Sequence, residues 1–73
     1  MSDEFYILVN MNDLNFYKDE YDDTTNINKA RRFYTLQDCD NELATFDDDV
    51  RERYEIYKVV SQLKTNFERV VRL

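Results

Sequence analysis

The sequence predicts a small α+β domain: an antiparallel sheet of ββαββ type with one amphipathic helix packed on it. Three observations predict it. Short apolar runs rich in β-branched and aromatic residues open and close the chain, one stretch in the middle repeats its apolar residues at helical spacing, and 73 residues suffice for a single domain, residues 1–73. With 42% apolar and 15% aromatic residues, the chain is too apolar for a disordered acidic tail.

Glu4–Asn10 reads EFYILVN, a buried or half-buried strand with Phe5, Ile7 and Val9 on one face and Tyr6 and Leu8 on the other. Asn10 to Asp13 supplies a turn, and Leu14–Lys18 alternates as the second strand of a hairpin. Asp19–Asn28 is polar and acidic and reads as a loop, followed by a short helical turn around 27–33. Thr35 to Asp38 resembles a capping box with Asp in place of Glu. Leu36, Cys39, Leu43 and Phe46 then form one apolar stripe on a helix of about three turns, ended by Asp47–Asp49. Val50, Tyr54, Tyr57 and Val60 also suit a helix. The Ile, Val, Tyr and Phe content of 54–63 and 67–73 favours two strands, with Lys64, Thr65 and Asn66 as their turn.

Composition excludes much chemistry. The chain has no Gly, Pro or His. Without His it lacks the commonest general base and metal ligand. Without Gly it lacks a loop that lets the backbone close on a phosphate, and its turns fall to Asn and Asp. The single Cys39 forms no internal disulfide, has no His partner, and sits in the helix stripe as a core residue. Zinc lacks ligands. Asp38, Asp40, Glu42 and Asp49 partly match a calcium loop, but Leu43 stands where that loop needs Gly. No cofactor and no catalytic activity are expected. No apolar run is long enough for a membrane span or a signal-peptide core, so the expectation is a cytoplasmic protein.

Charge is segregated. Residues 1–50 hold 13 acids and 4 bases, residues 51–73 hold 3 acids and 6 bases, and the whole chain carries −6. One acidic cluster is Asp19, Glu20, Asp22 and Asp23; another is Asp38, Asp40 and Glu42 with Asp47, Asp48 and Asp49. No Lys or Arg lies between Phe33 and Val50, so the helix forgoes i,i+4 pairs of roughly 0.2–0.5 kcal/mol each. Asp38 gains from the helix dipole, whereas Asp47 to Asp49 lie at the unfavourable end of that helix.

Solubility alone accounts for part of this pattern. The functional reading is a negative binding face. Helical residues four apart lie ~6 Å apart along the axis, and strand residues two apart lie ~6.6 Å apart. Duplex DNA carries a charge per ~1.7 Å of axis, so carboxylates on a scaffold can occupy sites built for phosphates. Tyr17 and Tyr21 flank the first cluster and offer contact area at low entropy cost, with sheet packing as their other use. The basic C-terminal third reads as local or intersubunit pairing, and a chain with one negative and one positive end favours head-to-tail or two-fold self-association, a homodimer among the outcomes. Gln62 to Phe67 loosely resembles the Gln-Leu-x-x-Phe peptides that dock on sliding clamps.

The FYILVN strand, the ARRFYTLQDCDNELATF segment at 30–46, the DDD turn and the YEIYKVV strand together resemble small acidic host-takeover proteins of bacteriophages that infect low-GC bacteria. Within that group the profile resembles phage inhibitors of the bacterial DNA sliding clamp. The resemblance implies a host DNA-handling partner, such as the clamp or a nuclease, and blockage of DNA access in the bacterial cytoplasm. It carries no binding residue over by motif, and the acidic positions rest on the charge argument. The alternative is a non-catalytic assembly module that self-associates through its sheet. Because the acidic face repels phosphate, duplex DNA is expected not to bind at micromolar protein and physiological salt, which a gel shift checks.

Overall fold

The structure, a computed structural model, describes residues 3–19, 22–61 and 65–70. Five strands form one antiparallel sheet: β1 (Asp3–Asn10), β2 (Asn15–Asp19), β3 (Asp22–Thr24), β4 (Tyr54–Ser61) and β5 (Thr65–Arg69), in the order β3-β2-β1-β4-β5. Between β3 and β4 lie a 3-10 turn (Ile27–Lys29), helix α1 (Leu36–Ala44) and a one-turn helix α2 (Asp48–Arg51). The α+β class read from the sequence is the class observed.

β1 is the central strand and pairs with β4 along its whole length, from Asp3 opposite Ser61 to Asn10 opposite Tyr54. It is buried on both faces. Leu8 packs with Tyr17, Phe33, Cys39, Leu43 and Ile56 beneath α1. Phe5, Ile7 and Val9 pack with Ala30 and Val59 on the other face. Fully burying one such aliphatic side chain contributes about 1.5–3 kcal/mol.

With β2 the pairing is brief, Val9 to Phe16 and Asn10 to Asn15. Beyond that point the 31–33 segment fills the space between the two strands. Arg31 N–H donates to the Tyr17 carbonyl at 2.9 Å, and Tyr6 and Phe33 exchange both backbone bonds, at 2.6 and 2.9 Å. The chain thus passes from the Ala30 face to the Phe33 face through the sheet. This lets one short chain cover both faces.

Local signals set the element ends. The Thr35 side chain accepts from Asp38 N–H at 3.1 Å, so Thr35 caps α1. Asn10, Asp13 and Asn26 side chains accept backbone N–H groups two residues on, which is how turns close without glycine. Among the described residues the one at positive φ is Leu14, at 61°, although Asn flanks this turn. A side chain there costs about 1 kcal/mol more than glycine, which avoids the Cβ clash.

Four expectations are corrected. The acidic stretch expected as a loop contains β3, because Asp22 to Thr24 pair with β2 across a bulge between Tyr17 and Asp19. α1 stops at Ala44, and Phe46 still reaches the core from just beyond its end. Asp47 to Asp49 do not simply end α1: Asp47 is the N-cap of α2 and Asp48 and Asp49 form its first turn, the favourable end of a helix for acids. Thr65 and Asn66 are not the turn between the last strands but already pair in β5, with Ser61 and Val60. Gln62 to Lys64 and residues 71–73 lie outside the described residues, and with them most of the clamp-peptide likeness.

Cys39 is 0% exposed and in no disulfide. Native protein is expected to resist thiol reagents until it unfolds. Cys39→Ser places a hydroxyl in that apolar cluster and is expected to lower stability by about 1–3 kcal/mol, measured by denaturant unfolding.

Candidate functional site

Five acids that are separated in the sequence meet in one place. A cleft of about 720 Å³ opens on the α1 side of the sheet, and five carboxylates line it: Asp19, Asp22, Asp23, Glu42 and Asp47. They come from β2, β3, α1 and the start of α2. The bulge in β2 sets Asp19 opposite Asp22, and the pairing of Tyr17 with Asp23 turns Asp23 to the same face as Tyr17. Arg53 is the cation in the lining.

The floor is aromatic. Tyr17, Phe46 and Tyr54 contact one another at centroid separations of 5.1, 5.3 and 6.0 Å in tilted and edge-on geometry. Two carboxylates are fastened to it. The Tyr17 hydroxyl donates to Glu42 Oε2 at 2.6 Å, and the Tyr54 hydroxyl donates to Asp23 Oδ1 at 2.7 Å. Asn10 Nδ2 donates to the other oxygen of Asp23 at 3.3 Å. Both acids are half-buried. Hydrogen bonds to a charged acceptor contribute about 1.5–3 kcal/mol net, so these two links tie β3 and α1 to the sheet.

Other predicted positions lie elsewhere. Asp38 is exposed beside a second, smaller hollow lined by Arg31, Arg32, Tyr34 and Asn41. Asp40 is half-buried on α1. Asp48 and Asp49 are exposed on α2, and Asp48 pairs with Arg51, the local pairing the sequence suggested for that arginine. Lys18 lies 3.8 Å from Asp22, and Arg31 is 4.0 Å from Glu42. Tyr17 is 3% exposed: its ring packs in the core, because its strand position faces α1, and its hydroxyl meets the cleft at Glu42. Glu20 and Tyr21 lie outside the described residues. The partial calcium pattern is split between α1, which carries Asp38, Asp40 and Glu42 around its axis, and α2, which carries Asp49, and among the described residues no group of three or more His, Cys, Asp or Glu side chains is placed to hold a metal ion.

Sequence reasoning missed Tyr54 and Asn10. Tyr54 was visible only as a strand aromatic, and its hydroxyl acquires a role only once β3 lies across the sheet from β4. No helix among the described residues is long and apolar enough to cross a membrane. Comparisons with protein-family models, curated proteins and solved structures find no match.

Burial, followed by the hydrogen bond and charge of Asp23, raises the Tyr54 phenol well above its ordinary value of 10.0. A folded-state value above the unfolded one means that Tyr54 contributes its full stability below pH 10.0 and loses it progressively above that. Tyr54→Phe is expected to be about 1.5–3 kcal/mol less stable near neutrality. Its stability is expected to fall less steeply than the parent's above pH 10.0, which urea titrations across the alkaline range check.

Proposed function

We propose that the protein is an inhibitor that binds a DNA-handling host protein through its acidic cleft, with carboxylates standing where DNA phosphates would sit. The observation that carries this reading is the convergence of Asp19, Asp22, Asp23, Glu42 and Asp47, from separate elements, on one concave face. Like charges brought together raise the energy of the free protein, and a cationic surface relieves that cost. Two of the five, Glu42 and Asp23, are held by Tyr17 in the core and by Tyr54 packed against it, so these two charges are positioned before any partner arrives. The partner is a protein with a Lys- and Arg-lined surface built for duplex DNA. The bacterial sliding clamp suits that description, as does a nuclease, and the setting is the cytoplasm of a bacterial host. The alternative, an assembly module whose acids serve solubility, draws on the outer edge of β5, and the two readings are compatible.

The test uses Asp19, Asp22 and Asp47, which line the cleft and whose substitution leaves the Tyr17–Glu42 and Tyr54–Asp23 bonds in place. Purified sliding clamp and a purified nuclease are titrated with parent and with the triple Asp→Asn variant at low and at physiological salt. Parent binding is expected to weaken as salt rises, chiefly through slower association. The variant is expected to bind at least about tenfold more weakly, equivalent to ~1.4 kcal/mol, with its thermal midpoint kept or raised. Binding that ignores both salt and the substitutions would move the interface to the apolar sheet edge.

A further inference from the structure

The two outer edges of the sheet differ. On one side β3 spans only Asp22–Thr24 and carries two acids. A short, charged edge discourages another strand from pairing with it. On the other side β5 runs five residues, and among the described residues it pairs with β4 alone. Its charges are matched within the chain: Arg69 binds Glu55 at 3.0 Å, and Glu68 lies opposite Lys58, which also binds Glu4 at 3.2 Å. Among the described residues of β5 the two charges, Glu68 and Arg69, are of opposite sign, unlike the two acids of β3.

Register fixes which backbone groups face outward. Val70 N–H donates to the Ile56 carbonyl at 2.9 Å, so Ile56 and Val70 are a bonded pair. Bonded and non-bonded pairs alternate along an antiparallel ladder. Lys58–Glu68 and Val60–Asn66 are therefore the bonded pairs, and the N–H and C=O groups of Thr65, Phe67 and Arg69 point away from β4. Phe67 also ends an apolar row across the sheet, Phe5 to Val59 to Phe67, yet it is 48% exposed, whereas Phe5 and Val59 are buried.

We propose that β5 is a homodimer interface, in which the β5 strands of two copies pair antiparallel about a two-fold axis at Phe67. In that register Phe67 faces Phe67 of the second copy, and Thr65 faces Arg69. Each of these pairs exchanges both of its backbone bonds, because all three residues present outward groups. Asn66 lies opposite Glu68, so no charge lies directly opposite a like charge, which would destabilise the pair. The two-fold makes the strand its own complement, and this argues for a second copy over a foreign strand. The two phenylalanines meet on one face and bury surface that the single chain exposes. The result is a continuous ten-stranded sheet with β3 and the acidic cleft at both far ends, open to a partner. An edge of this length lies at the small end of interface sizes, so the dimer is in measurable exchange with monomer rather than obligate. This assignment does not depend on what the acidic cleft binds.

Sedimentation equilibrium of the full chain from micromolar to millimolar concentration tests it. The weight-average mass is expected to climb from 9.0 kDa towards twice that value and no further. Phe67→Pro removes an outward N–H without breaking a bond to β4, and Phe67→Lys sets two like charges on the axis. Both variants are expected to stay monomeric throughout. Circular dichroism checks that they keep the fold, and if the proline variant does not, the lysine variant decides. Amide exchange at Phe67 and Arg69 in the parent is expected to slow as concentration rises, while exchange at Asp22 and Thr24 does not. A parent that is monomeric throughout overturns the proposal. So does a dimer that folded Phe67 variants still form, or a mass that rises past the dimer.

Discussion

The passage of residues 31–33 between β1 and β2 is the constraint on which the rest depends. A sheet of five short strands has two apolar faces, and 73 residues leave few to cover them. β1 carries five successive apolar residues, so both of its faces need cover. The chain meets that need by splaying the β1–β2 hairpin after Val9 and Phe16 and threading the segment through the opening. Ala30 stays behind against Phe5, Ile7 and Val9, while Phe33 emerges against Leu8 and leads into α1. The segment satisfies the Tyr6 N–H and carbonyl and the Tyr17 carbonyl at the splay, which limits the cost of burying backbone there. Arg32, at the crossing, lays its guanidinium over the Phe5 ring at 4.3 Å and shields one end of that face.

That crossing also decides where the acids go. It forces α1 to start on the Leu8 face, directly after Phe33. Leu36, Cys39 and Leu43 then turn the helix so that Glu42 reaches Tyr17. The splay leaves β2 to pair with β3 on its outer side, which carries Asp22 and Asp23 to the same end of the molecule. Clusters some twenty residues apart in sequence meet because the core, not the acids, places them.

The sheet and α1 were legible in the sequence because their signals are local: five apolar residues in β1, the Thr35 cap, the 36–39–43 stripe, and the Val, Ile and Tyr content of 54–61. β3 was not legible. Asp-Asp-Thr has poor strand propensity, and its pairing depends on β2 and on the Tyr54 bond rather than on anything within three residues. The role of the Asp triplet at 47–49 is illegible for a related reason. Its effect depends on which helix end it joins, and α2 is too short to show a periodic pattern. The positive φ at Leu14, with asparagines nearby, has no signature in composition. The acidic face was legible as clusters, but which acids converge was not, since Asp38 and Asp48 look like Glu42 and Asp47 until the helices are placed.

Under the proposed reading, in which the cleft binds a cationic partner, the two tyrosine–carboxylate bonds matter for recognition as well as for holding the cleft together. A flexible acidic surface loses side-chain entropy when a partner fixes its charges, which offsets part of the attraction. Here Tyr17 in the core and Tyr54 packed against it hold Glu42 and Asp23 in place, so that part of the cost is met on folding. The same bonds use one oxygen of each carboxylate and leave its charge in place. Asp19, Asp22 and Asp47 extend the field outward from that anchored pair. Asp23 and Glu42 therefore set the geometry of the face, and the outer three give it its reach. On the proposed reading, selecting an arrangement of cations, and not merely their number, draws on both.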